Sequence, residues 1–188
     1  MTVQPRPSPP TYEDLRALPP QARAEILHGQ IVMAPSASAR HNLTARRLAN
    51  DLDTAAGEFG FTAVTDVDVA WPATDEFTRP DVVVVSTAVA ESTELPLTER
   101  PVVVVEVLSP GSAGRDFVTK RRTAQAAGVP EYWVVNPETH EIVRHTLVGG
   151  SYEEHFVEPG QEEKVESLPF PYTIRPEVLG PAPERPAP

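Results

Sequence analysis

Pro101-Val102-Val103-Val104-Val105-Glu106-Val107-Leu108 decides the fold class of this chain. The run is β-branched and almost continuously apolar, and a second of the same kind, Asp81-Val82-Val83-Val84-Val85, lies upstream. Strands of that composition are covered on both faces, so both runs predict central strands with other elements packed above and below. Helical patterns flank them. Leu43, Leu48, Leu52, Ala55 and Phe59 recur at roughly helical spacing, which predicts an amphipathic helix from His41 to Phe59 closed by Gly60. Arg115 to Ala127 predicts another, stopped by Gly128 with Pro130 beyond. Further out, Thr11 to Leu18 reads as a short helix capped by Thr11 with Asp14, and Gln21 to Leu27 as another turn or two of helix. Gln30 to Ala34, Thr62 to Ala70, Glu131 to Asn136 and Glu141 to Val148 read as strands, and Gly149-Gly150 turns the last of these into Ser151–Glu158. The expected class is α/β or α+β: a central mixed sheet flanked by helices, with an extra C-terminal β-hairpin.

Composition narrows the function. The chain has 188 residues, with 16 basic and 27 acidic side chains, a net charge of −11, 22 prolines and no cysteine. That length suits one domain. The absence of cysteine excludes a disulfide scaffold, a thiolate zinc site and a cysteine nucleophile. No apolar run approaches ~18 residues and Met1–Pro10 has no hydrophobic signal core, so a cytoplasmic protein without membrane contact is expected. Prolines crowd both ends, which predicts an extended lead-in over 1–10, a single domain over 11–174 and a Pro-rich tail over 175–188. Net negative charge argues against a broad, sequence-blind grip on nucleic acid. The charge is uneven, however. Residues 138–166 hold eight acidic and two basic side chains, whereas Arg115 to Arg122 holds four basic and one acidic. Arg40, Arg46 and Arg47 form a smaller basic group.

Within this pattern a few residues need a reason. Glu106 interrupts an apolar strand whose faces should both be buried, where a lone carboxylate costs several kcal/mol unless it meets a cation or donors. The plainer alternative is an open strand end, with Glu106 in solvent or beside an arginine. Asp81 opens the other valine strand directly after Pro80. Two carboxylates at comparable places on neighbouring strands would face one cavity and, with waters, could hold Mg²⁺. Lys120 stands out because the chain has only two lysines against fourteen arginines. It can serve as a compact point charge beside a water or phosphoryl oxygen, or simply pair with Asp116 at i, i+4. Glu25 alone reads as a surface glutamate. His41 reads either as a donor to phosphate or as a surface histidine near a helix cap. His140, His145 and His155 lack metal spacing, Ser109 and Ser112 lack a neighbouring base, and no phosphate loop for a nucleotide cofactor is present.

Taken in order, Arg79-Pro80-Asp81-Val82-Val83-Val84, Val105-Glu106-Val107-Leu108-Ser109-Pro110, Asp116, Lys120 and Gly128-Val129-Pro130-Glu131-Tyr132-Trp133 resemble the Uma-two family of restriction-endonuclease-like proteins. That family belongs to the PD-(D/E)XK nuclease superfamily. Tyr12-Glu13-Asp14-Leu15, Glu25-Ile26-Leu27-His28-Gly29 and Met33-Ala34-Pro35-Ser36 resemble its opening. The resemblance spans about Thr11 to Val148 and implies a restriction-endonuclease-like core with the signature split over two strands and a helix. It makes Asp81 the first acid and Glu106 the second. The superfamily's usual lysine, two residues after the second acid, is here Leu108, and Lys120 on the next helix takes its place. Glu25 becomes a further carboxylate, from an N-terminal helix. Gln30, Gly111-Ser112-Ala113-Gly114 and Leu27-His28-Gly29 depart from the commonest forms.

The implied activity is metal-dependent hydrolysis of DNA phosphodiester bonds. By the resemblance, Asp81 and Glu106 hold one or two Mg²⁺ ions, with Mn²⁺ as an alternative. Lys120 orients or helps deprotonate the attacking water, and Glu25 supports the site. Arg115, Arg121 and Arg122, with His41, contact the phosphate backbone as a local basic patch, completed by a homodimer. Two other classes compete: a catalytically silent protein binding a basic partner through residues 138–166, and a structural domain in which Asp81, Glu106 and Lys120 do not meet. Convergence of those three side chains distinguishes them.

Overall fold

The computed structural model describes residues 8–19, 22–34, 36–109 and 115–181, without the side chains of Arg115, Asp116 and Phe117. The expectations for most of the lead-in, the Asp116–Lys120 pair and the end of the tail lie outside the described residues.

The chain opens with α1 (Tyr12–Arg16), where Asp14 accepts hydrogen bonds from the Thr11 backbone N–H and hydroxyl. A hairpin follows, β1 (Ala24–Leu27) and β2 (Gln30–Met33). This corrects the helix expected over 21–27. Ala, Glu and Leu favour helix locally, but His28 and Gly29 adopt φ of 50° and 69°. Two successive positive φ values make the two-residue turn that matches strand twist. Next, α2 (Ala39–Ala56), capped by Ser38, buries His41, Thr44, Ala45, Leu48, Ala49, Leu52 and Ala56 along one face. A tight 3₁₀ turn over Gly57–Phe59 then changes the winding, and Phe59, expected on the buried stripe, is 48% exposed.

The strand expected over 62–70 is two: β3 (Phe61–Thr65) and β4 (Val69–Trp71), separated at Asp66 with φ 56° and assigned to different sheets. The remaining elements are β5 (Glu76–Thr78), β6 (Val82–Ser86), α3 (Thr87–Ala90), β7 (Val103–Val107), α4 (Arg115–Ala126), β8 (Glu131–Val135), β9 (Ile142–Val148), β10 (Ser151–Val157), β11 (Glu163–Val165) and β12 (Tyr172–Ile174).

Six strands form the central sheet in the order β10-β9-β8-β7-β6-β3, with β7 and β8 parallel and the other neighbours antiparallel. A four-stranded sheet, β2-β1-β5-β4, and the β11-β12 ribbon complete the strands. The fold is thus mixed α/β, as expected. Alternation along the valine strands feeds two cores. Val82, Val84, Val103 and Val105 pack with Leu48 and Leu52 of α2, while Val83, Val85 and Val104 pack with Ala124 of α4 and with Trp71. Each buried valine contributes about 1.5–3 kcal/mol. Packing also continues past Ile174, where the tail was expected to begin. The 3₁₀ turn Pro176–Leu179 buries Leu179 completely, and Arg47 donates to its carbonyl. Among the described residues, no helix is long and apolar enough to cross a membrane.

Candidate active site

Antiparallel pairing places Val82 opposite Val105, so the start of β6 lies beside the end of β7. Asp81, one residue before β6, therefore reaches the end of β7, and its Oδ2 accepts the backbone N–H of Val107 at 2.7 Å. Glu106 is the next residue back. By alternation it shares the face of Val104, which packs toward α4. Lys120 of α4 meets it there: Nζ lies 3.3 Å from both Glu106 carboxylate oxygens and 2.9 Å from Glu25 Oε1. Glu25 comes from β1 in the other sheet, and its Oε1 also accepts the Arg79 N–H at 2.8 Å. Glu25, Asp81, Glu106 and Lys120 all line one cleft, with His41, Arg79 and Arg23 on its walls.

The electrostatics of this cleft are unbalanced. Burial pushes the Glu106 carboxyl up to about 8; Lys120 opposes that shift, and Asp81 and Glu25 add to it. Although the Lys120 ammonium is near, Glu106 Oε1 is buried and accepts no hydrogen bond. Burial would lower the pKa of Lys120, but the Glu106 and Glu25 carboxylates raise it above the ordinary lysine value. That upward shift favours the ammonium form of Lys120, which donates hydrogen bonds. His41 shows a similar contest: burial disfavours its charge, the bond to Asp81 favours it, and the net shift is upward. Its Nε2 lies 3.2 Å from Asp81 Oδ2.

Several expectations change here. Glu25 joins the cluster from a strand, not from a helix. His41 is buried at 6% exposure and directed at Asp81, so the exposed cap reading is wrong. Arg121 extends toward the β9–β10 hairpin, where its charge helps lower the His145 pKa after burial does so. Arg122 is exposed and lines a neighbouring cavity with Tyr12, His28 and Phe77. Arg115 opens α4, but its side chain lies outside the described residues. Arg79 and Arg23, which the sequence did not single out, stand on the cleft wall instead. Position was the available signal for Arg79, two residues before Asp81.

A family model described as "Putative restriction endonuclease" matches residues 9–177 of this sequence. The chain belongs to that family, Uma2. No curated protein matches it. Among solved structures, the Uma2 chain is similar to a protein described as a putative nuclease belonging to DUF820 from Anabaena variabilis ATCC 29413. The TM-score is 0.72 at 18% identity, over 91% of this chain and 97% of that one. At such identity the likeness shows the fold.

The donor set of this Uma2 cleft suits a hard divalent cation. Carboxylate oxygens are the ligands Mg²⁺ prefers, and the buried Glu106 Oε1 lacks a hydrogen-bond donor. Among the described residues, no three His, Asp or Glu side chains are grouped so as to hold an ion by themselves. Mg²⁺ does not require that, since it usually binds one or two carboxylates and keeps several waters.

Proposed function

We propose that this protein is a metal-dependent DNA endonuclease that hydrolyses phosphodiester bonds in the cleft of Asp81, Glu106, Lys120 and Glu25. The observation that carries this reading is the meeting of Lys120 with Glu25 and Glu106 beside Asp81, with one Glu106 oxygen buried and lacking a hydrogen-bond donor. Asp81 and Glu106 would hold Mg²⁺, or Mn²⁺ in its place. When bound, such a cation polarises the scissile phosphate and offsets the charge that develops on its oxygens.

The protein's own groups do the rest. Lys120 has three N–H donors. Glu25 and Glu106 engage the ammonium, and its remaining donor capacity can orient the attacking water or a phosphoryl oxygen. The two carboxylates fix the ammonium where charge accumulates, a preorganised arrangement that needs no rearrangement during reaction. Val107 N–H and His41 hold Asp81 Oδ2. Asp81 is thereby oriented from two sides, and its other oxygen is left for the chemistry of the cleft.

Cleavage of supercoiled plasmid tests the proposal. Wild-type protein nicks or linearises the plasmid with Mg²⁺ or Mn²⁺ and not with EDTA, while Glu106→Ala and Lys120→Ala are inactive. Cleavage that survives Glu106→Ala would remove the assignment.

A further inference from the structure

An acidic protein that cuts DNA needs a positive contact next to its carboxylates, and among the described side chains neither Arg121 nor Arg122 of α4 lines this cleft. Arg79 does. Its backbone N–H binds Glu25, and the buried Pro80 leads from it into Asp81. Its side chain is held from behind: Nε donates to Asp68 Oδ1 at 2.7 Å. Asp68 is itself fixed, because its Oδ2 accepts the Tyr12 hydroxyl at 2.9 Å. Tyr12 belongs to α1 and stacks on Phe77 of β5, ring centroids 5.4 Å apart and 22° from parallel.

This relay uses one edge of the guanidinium and leaves the other. Among the described residues, neither terminal nitrogen of Arg79 has a hydrogen-bond partner, and the side chain is 30% exposed. Arginine matches phosphate oxygens with parallel N–H groups, which lysine cannot do. Burial and the bond to Asp68 push the Tyr12 hydroxyl up to about 12, so it stays protonated and keeps donating. The bond to Asp68 raises the Arg79 pKa as well.

We propose that Arg79 is the phosphate clamp of this cleft, gripping a backbone phosphate with its two terminal nitrogens while Tyr12 and Asp68 act as positioning residues. The inference rests on the endonuclease reading and adds to it the residue that seats the substrate. It also gives α1 a role in the site, since Tyr12 connects to the cleft through Asp68 and Arg79.

Binding and cleavage measured together test it. The affinity for a fluorescently labelled duplex is measured by anisotropy in EDTA across a salt series, with plasmid cleavage in Mg²⁺ measured in parallel. Loss of one phosphate contact lowers the slope of log K against log salt by about 0.9. Arg79→Ala should show that drop with roughly tenfold weaker binding, an affinity change in the range of a charged hydrogen bond. Arg79→Lys guards against a folding defect: it should keep the slope and fail to restore full cleavage. Tyr12→Phe should weaken binding a few-fold in wild type and not at all in an Arg79→Ala background. A wild type that cleaves, with Arg79→Ala keeping its affinity and salt slope, overturns this inference alone. A wild type that neither binds nor cleaves overturns the endonuclease reading and the clamp with it.

Discussion

Glu106 and Glu131 are two glutamates drawn out of water on the parallel pair β7–β8, and their surroundings differ in nearly every respect. They sit at opposite ends of the pair, Glu131 opposite Val103 and Glu106 opposite Val134. Alternation also puts them on opposite faces: Trp133, two residues from Glu131, packs toward α2, whereas Val104, two from Glu106, packs toward α4. Glu131 accepts hydrogen bonds from Trp133 Nε1, Arg144 Nε and NH2, and the hydroxyls of Thr146 and Ser167. Arg144 then passes to Glu163 of β11, so this centre ties the central sheet to the ribbon. Glu106 has Lys120 at 3.3 Å and a buried oxygen without a donor. Burial of charge, then, does not mark a functional site. Incomplete satisfaction is what supports the endonuclease reading for Glu106, because a fold that can surround one carboxylate with donors has left another short of them.

Removing each carboxylate in turn puts this contrast to its hardest test. Glu106→Ala should reduce plasmid cleavage on the order of 10³-fold or more, the several kcal/mol of transition-state stabilisation that a metal site supplies. Its urea midpoint should stay equal to wild type or rise. Glu131→Ala should do the reverse. It leaves Arg144 buried with half its partners, and breaking a buried pair costs about 3–5 kcal/mol, read as a lower urea midpoint. Cleavage per folded molecule should be preserved. If Glu131→Ala abolished cleavage in fully folded protein, the separation into a structural and a chemical centre would be wrong.

The two centres were unequally visible in the sequence. Glu106 stood out because an acid in a valine run violates the pattern of its surroundings, and Lys120 because lysine is rare here. The valine runs themselves located the central strands, since both faces of β6 and β7 are buried. Glu131 gave no such signal, because apart from Trp133 its partners come from β9 and from beyond β11, and a network of that span is invisible to local reading. Glu25 was misplaced for a related reason. Residues 24–27 favour helix on propensity, and the hairpin is decided by backbone conformations at His28 and Gly29 and by pairing with β5. His41 follows the helix period of α2, but only the crossing of α2 over the start of β6 makes its face the one against Asp81. The arginines show the limit of charge counting: Arg121 and Arg122, adjacent on α4, meet different surroundings, while Arg79 lines the cleft from a loop.

A smaller effect separates the centres by ligand. Mg²⁺ at one hundred times its dissociation constant should stabilise the wild type by about 2.7 kcal/mol. Differential scanning fluorimetry should show this shift for the wild type and lose it in Glu106→Gln. A Glu131→Gln protein, starting from a lower Tm, should keep the shift. Stabilisation of Glu106→Gln equal to wild type would place the cation elsewhere.

The smallest expected effect is the dependence of stability on pH without metal. The folded-state pKa of Glu106 is raised from 4.5 to about 8, with burial the largest cause. Between those values the folded protein binds a proton at Glu106 that the unfolded chain has released. Stability from this group is therefore fully present below 4.5 and is lost as pH rises through about 8. In EDTA, the difference in Tm between wild type and Glu106→Gln should move against the wild type from pH 5.5 to pH 8.5, because glutamine stays neutral throughout. Saturating Mg²⁺ should flatten the difference, since a bound cation favours the ionised carboxylate that high pH produces. An equal pH slope for wild type and Glu106→Gln would mean that Lys120 alone compensates the Glu106 charge, and the case for a cation in this cleft would lose its electrostatic basis.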